Sequence, residues 1–193
     1  RPRRRIRVAQ RLTARRQARR MQHAGVDAVV HCAASLGGDE AAQRRDTVTA
    51  TAQVADALRA AGLSRLVLLS SFAVYDIAAL APGAVLDEQS PICADGAERG
   101  PYIDAKLAHE ALVRDPARGL DWRILRPGLV FGPGRTWFYH LGLHLHPRLW
   151  VSLAGAAELP LTYVGNCAEA IVAAASYEAL SLIHISEPTR RTP

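Results

Sequence analysis

The sequence predicts an α/β domain built as a doubly wound parallel sheet with helices on both faces. Short, wholly apolar runs that end in small or polar residues suit strands buried on two sides. Longer stretches of helical period separate those runs, and glycine or proline marks the junctions, which is the pattern of βαβ units. Taken in order, Gly25 opens a turn and Ala28 to Val30 in GVDAVVHCAAS form the first clear strand. TVTATAQVADALRAAG places Val48, Ala52, Val54, Ala55 and Leu58 at helical spacing, with Gly62 positioned to end the helix. RLVLLSS is a second strand, Leu66 to Leu69, closing on Ser70 and Ser71. A polar loop rich in Pro, Gly and Asp runs from about Asp76 to Gly100. PYIDAKLAHE then starts a helix whose apolar face carries Leu107, Ala111 and Leu112. LDWRILRPGLVFGPG supplies a strand followed by a Gly/Pro loop. LPLTYVGNCAEAIVAAA gives a short strand and a helix opened by a capping box, Asn166 with Glu169.

Composition narrows the class further. The chain has 193 residues, 49% of them hydrophobic, enough for one globular core. Cys32, Cys93 and Cys167 are odd in number and show no metal-ligand or CxxC spacing, so they read as core or near-core thiols of a reduced, cytoplasmic protein. No apolar run approaches the roughly 18 residues of a membrane span. The net charge of +6 is local: residues 1–20 hold ten arginines and no acid, leaving the remainder at −4. An arginine-rich arm attracts phosphate, but no aromatic interleaving or nucleic-acid module follows it, so nucleic acid is not the expected partner. A chain that opens on Arg1 reads as a fragment.

The chemistry concentrates in Tyr102 and Lys106, four positions apart on one helix face. Such pairs also occur on ordinary solvated helices. Lys106, however, is the only lysine beside 23 arginines. A compact, tunable ammonium is not interchangeable with a guanidinium where charge must sit next to a reacting group. In a parallel sheet ligands gather beyond the carboxyl ends of the strands, which puts the loops after Val30, Leu69 and Leu125 around one crevice together with Ser70 and Ser71. His140, His144 and His146 lack a carboxylate or cysteine to complete a metal site, and no metal is expected. Trp137, Tyr139 and Trp150 read as packing residues that also suit an apolar substrate surface, and His31 as a satisfied strand-end histidine.

LLSSFAVYD, YIDAK and LRPGLVFGPG, in that order with VVHCAA, TVTATAQV and TYVGNCAEAI around them, resemble the extended short-chain dehydrogenase/reductase superfamily, most closely its NAD-dependent epimerase/dehydratase type. The resemblance covers about residues 24–179 and implies a Rossmann-like NAD(P)-binding domain with the start of a substrate-binding region. It implies Tyr102 as the proton donor or acceptor, Lys106 as the group that favours its phenolate and holds the nicotinamide ribose, and Ser71 as the hydroxyl that polarises the substrate oxygen. A free phenol titrates near about 10, so the tyrosine needs that help at neutral pH. The cofactor contacts implied are Ala33, Ala34, Thr47, Ser70, Tyr102, Lys106, Pro127 and Val130, with NAD against NADP left open. The expected reaction is hydride transfer at a hydroxyl or keto group of a sugar nucleotide, sterol or similar small molecule, and a homodimer is a further expectation. Simple oxidation/reduction or epimerisation is favoured over dehydration because SFAVYD lacks an Asp-Glu pair after the serine. The alternatives are a non-catalytic NAD(P)-binding regulatory protein of the same fold and an inactive fragment.

Two departures accompany the resemblance. No GxxGxxG is present, so the fold is expected to be incomplete, with its first phosphate-binding βαβ unit missing and residues 1–23 a truncated or out-of-frame remnant. LSLIHISEPTR, Leu180 to Arg190, resembles the translation of a transposase adapter used for sequencing libraries, so residues 180–193 are expected to be a non-native tail.

Overall fold

The computed structural model describes residues 6–8, 25–81, 83–135, 143–146, 149–151, 159–176 and 182–185. Its elements in chain order are β1 (Ile6–Val8), β2 (Ala28–His31), α1 (Glu40–Gln43), a π-helical stretch (Arg44–Thr49), α2 (Ala50–Ala60) and β3 (Arg65–Leu69). They continue with α3 (Pro101–Arg114), β4 (Asp121–Pro127), β5 (Leu129–Phe131), β6 (Leu143–His146), β7 (Leu149–Val151), β8 (Leu161–Tyr163), α4 (Val164–Ser176) and β9 (Leu182–Ile185). Five strands form one sheet in the order β1-β2-β3-β4-β9, every pair parallel.

Alternation along each buried strand decides which helix it meets. Val29, Leu66, Leu68 and Ile124 point to one face, where Val54, Ala57 and Leu58 of α2 and Val113 of α3 cover them. Ala28, Val30, Val67 and Leu125 point to the other, against Ala174 and Ala175 of α4. Helices on both faces explain why Ala28–Val30 of β2 and Leu66–Leu69 of β3 read as continuous apolar runs rather than as alternating ones. The sheet is therefore doubly wound, as the sequence predicts.

Local chemistry sets the helix boundaries. Asp39 caps α1 by accepting from the Ala42 amide at 2.8 Å. α2 ends where expected, with Gly62 at φ +71°, a conformation glycine adopts without a Cβ penalty. Pro101 opens α3 directly after Gly100, whose φ is +103°. The polar loop before it is pinned back by Asp76 N–H to Pro91 O and Cys93 N–H to Val74 O, at 2.8 and 2.9 Å.

Several expectations need correction. α3 buries Ala105, Lys106, His109, Glu110 and Val113, while Ala111 is exposed, so its inward face is more polar than the apolar pattern suggested. α4 begins at Val164, two residues before the expected cap, and Asn166 lies within its first turn. Cys32 is exposed, whereas Cys93 and Cys167 are buried. The Gly/Pro loop after β4 contains a strand: Leu129–Phe131 pairs with β8 in a separate two-stranded sheet. Gly128 makes that departure, because its amide donates to Thr162 Oγ1 at 3.0 Å while its α-carbon lies directly against Pro160. β6 and β7 pair as a short antiparallel ladder, and Trp137, Tyr139 and His140 lie outside the described residues. Finally, Leu182–Ile185, within the adapter-like tail, forms the edge strand beside β4. Backbone pairing is indifferent to a segment's origin: the outer edge of β4 presents unpaired N–H and C=O groups, and a four-residue run with two isoleucines is a good β-former.

A Cβ at position 128 would overlap the Pro160 carbonyl, which is backbone and cannot swing away. Gly128→Ala is accordingly expected to destabilise the chain by about 2–3 kcal/mol in urea unfolding, and an unchanged midpoint would mean that Gly128 and Pro160 are not in this contact.

Candidate active site

β3 delivers two serines to the carboxyl edge of the sheet. Ser70 extends the ladder, its amide donating to Leu125 O at 2.7 Å, and its buried Oγ finds no partner among the described residues. Ser71 is extended, at φ −153° and ψ 148°, and its Oγ accepts from the Ala73 amide at 3.2 Å, capping a short 3-10 turn over Phe72–Val74. α3 packs against that turn and carries Tyr102 in its first turn and Lys106 one turn further on. The lysine is 4% exposed; its Nζ donates to Leu69 O at 3.0 Å and lies 5.8 Å from the centre of the Tyr102 ring. Lys106 thus ties the helix bearing the tyrosine to the end of the strand bearing the serines. Tyr102 is half-buried.

Burial dominates the electrostatics here. It lowers the Lys106 pKa from 10.5 to about 8, with Glu110 and Cys32 pulling the other way. His31, at the end of β2, is brought down to about 4 by its own burial and then by the Lys106 charge. His109, fully buried on α3, is held well below the usual histidine value by burial, Lys106 and His31. At neutral pH the site therefore holds one ammonium beside two neutral imidazoles. Each imidazole proton it refuses is a charge that Lys106 does not have to face.

Of the residues expected along the cofactor, Ala33 and Ala34 lie in the loop after β2 and Thr47 is bonded to it. Ala33 is exposed and Ala34 half-buried. Thr47 lies inside the π-helical stretch, fully buried; its Oγ1 accepts from the Ser35 amide at 3.1 Å, and its carbonyl accepts from Thr51 Oγ1 at 2.7 Å. Thr51 Oγ1 is also 3.1 Å from His31 Nε2, so a buried chain of hydrogen bonds joins β2, the helix and the loop between them. Among the described residues His31 Nδ1 meets no hydrogen-bond partner, so there this histidine is satisfied at one nitrogen only. Pro127 is the last residue of β4, and Val130 is the half-buried middle of β5. His144 and His146 lie in β6, and no group of three potential metal ligands occurs among the described residues.

Sequence reasoning missed a second charged cluster just behind the first. Glu110 accepts from Arg126 at both oxygens, at 3.0 and 2.7 Å, with each side chain 2% exposed. Arg114 approaches the same carboxylate at 3.1 Å, and the Arg126 guanidinium stacks 4.7 Å from the centre of the buried Tyr75 ring. One signal was available: an arginine inside the apolar strand RILRP needs a buried partner, and Glu110 shares the helix face of Tyr102 and Lys106.

A parallel sheet wound on both faces, with its loops gathered beyond the strand ends, is the architecture of the Rossmann-like class. The sequence profile of the NAD dependent epimerase/dehydratase family matches residues 3–181, and the chain belongs to that family. The match takes in most of the arginine-rich start and stops one residue short of β9. Among curated proteins, a 3-diazoavenalumate denitrifying reductase of a Streptomyces species is 29% identical over 140 residues, which is 71% of this chain and 45% of that protein. Among solved structures, a UDP-N-acetylglucosamine 4-epimerase from Bacillus cereus superposes with a TM-score of 0.70 at 21% identity, over 93% of this chain and 63% of that one. A UDP-glucose 4-epimerase from Brucella ovis in complex with NAD gives 0.66 at 22% identity, over 89% and 60%. The chain thus spans less than half of the curated relative and less than two-thirds of these structures. Among the described residues no helix is long and apolar enough to cross a membrane.

Buried neutral histidines make the fold acid-sensitive. The unfolded chain takes up a proton at His31 near pH 6.5 and the folded chain only near 4, so stability is full above 6.5 and falls as pH drops through that window. The loss from His31 is about 3 kcal/mol, and His109 adds to it in the same direction. Denaturant unfolding followed from pH 7.5 to about 4 checks this, and His109→Phe is expected to flatten the slope.

Proposed function

We propose that the chain carries the proton-transfer half of an NAD(P)-dependent oxidoreductase site of the epimerase/dehydratase type. The reaction is hydride transfer at a hydroxyl or keto carbon of a small molecule, with a sugar nucleotide the first substrate class to try. The carrying observation is Lys106: buried, bound to Leu69 O at 3.0 Å, and 5.8 Å from the Tyr102 ring on the same helix face. Family membership supports the nicotinamide cofactor, and the UDP-sugar epimerases of similar fold support the substrate class.

The residues present fit a dinucleotide. Among the described residues Lys106 spends one of three ammonium hydrogens on Leu69 O and makes no second hydrogen bond, and Ser70 Oγ is buried without one. Both suit ribose hydroxyls, and Ala33 and Ala34 leave the backbone after β2 open to close approach. A bound nicotinamide supplies the hydride acceptor or donor; the proton is left to the protein.

Tyr102 takes that proton from a substrate hydroxyl, or returns it to a carbonyl. Lys106 favours the phenolate by placing its positive charge over the same helix face, and a titration midpoint of about 8 keeps the ammonium mostly charged at neutral pH. Ser71 already accepts from the Ala73 amide, so its hydroxyl proton is directed elsewhere and serves the substrate oxygen as a donor.

Turnover of UDP-glucose or UDP-N-acetylglucosamine, read as formation of oxidised or epimerised sugar nucleotide with NAD⁺ and with NADP⁺, is expected to drop about 10²–10⁴-fold in Tyr102→Phe. Undiminished turnover in that variant would overturn the mechanism. Lys106→Met should behave oppositely in activity and stability. The folded lysine titrates at about 8 and the unfolded one at 10.5, so the folded chain carries its full desolvation cost below pH 8 and sheds it only as pH rises to 10.5. After subtracting the bond to Leu69 O, the methionine variant is expected to be more stable at pH 7 by about 2 kcal/mol while losing turnover.

A further inference from the structure

Glu110 and Arg126 connect the three segments that build the site. Glu110 lies on α3, one helical turn beyond Lys106 and two beyond Tyr102. Arg126 immediately precedes Pro127, where β4 gives way to β5. Its guanidinium also covers Tyr75, the residue that ends the turn capped by Ser71. One bidentate pair, at 3.0 and 2.7 Å, therefore holds the tyrosine–lysine helix, the serine turn and the strand leading to Val130 in fixed relation.

Stability does not require so costly a device. Two charges, each 2% exposed, give up most of their hydration, and well-packed apolar replacements for such pairs are often neutral or stabilising. The pair also has a direction: its negative end lies on the lysine's own helix. The charged and titratable groups around Lys106 are His31 and Cys32 from β2 and its loop, Tyr102, His109 and Glu110 from α3, and the arginines Arg114 and Arg126 that reach Glu110 from α3 and β4. Among these Glu110 contributes the carboxylate, and it opposes the lowering that burial imposes on the ammonium.

We propose that Glu110, locked by Arg126, is a positioning residue of the site that acts through Lys106. It fixes α3 against β4 and the Tyr75 turn, and it keeps a negative charge one turn behind the ammonium. The inference rests on reading Tyr102 and Lys106 as the proton-transfer pair, yet its test needs no turnover.

Because Lys106 is the sole lysine, ¹³Cε-lysine labelling yields a single side-chain resonance to follow with pH. The titration is run on the full chain and on Glu110→Gln, Arg126→Met and the double Glu110→Met/Arg126→Met variant, with thermal unfolding to establish that each is folded. Glu110→Gln keeps shape and hydrogen bonding; the double variant keeps apolar volume and leaves no orphaned charge. Both are expected to lower the Lys106 midpoint by about one pH unit, whereas Arg126→Met, which retains the carboxylate, does not lower it. Either carboxylate-free variant, folded and titrating at the parent midpoint, overturns the proposal and leaves the Tyr102 reading standing. Shifted midpoints with turnover undiminished in Tyr102→Phe would instead remove the mechanism and leave the electrostatic coupling intact.

Discussion

The site depends on one ammonium taken out of water. Lys106 is 4% exposed and satisfied by a single carbonyl, Leu69 O. Everything around it lowers the cost of that arrangement. His31 and His109 stay neutral, so no second cation competes for the space. Glu110 supplies a nearby negative charge, itself secured by Arg126. The sheet contributes the carbonyl, because β3 ends where its last C=O groups are no longer all consumed by the ladder.

This arrangement sets function against stability in a recognisable way. A methionine at 106 would fill the same space without a desolvation cost, and an apolar pair at 110 and 126 would remove another. Retaining charge in a layer otherwise made of Val, Leu and Ala is informative because it is locally unfavourable. Sites where local rules are broken are where chemistry is expected. Thr47 illustrates the same logic more gently: buried in a π-helical stretch, it spends its hydroxyl on the Ser35 amide and so shapes the loop carrying Ala33 and Ala34.

Legibility in the sequence followed periodicity. β2 and β3 were readable because burial on both faces makes them continuous apolar runs, and α2 because its spacing is helical and Gly62 ends it. The Tyr102–Lys106 pair was readable because the lysine is unique. What escaped depended on long-range partners. Glu110 is an ordinary helix residue until Arg126, sixteen residues on, faces it across the sheet. β5 escaped because pairing with β8 requires Gly128 to meet Pro160, a contact no local pattern reveals. β9 escaped because a segment set aside for its resemblance to an adapter still has the backbone to complete an open edge.

The central claim is that Lys106 is a buried, tunable ammonium rather than one of a pair on a solvated helix face. The direct measurement is the ¹³Cε titration of that lysine in the unmodified chain. A midpoint near 8 is expected, and one near 10.5 would return Lys106 and Tyr102 to the surface and contradict the account.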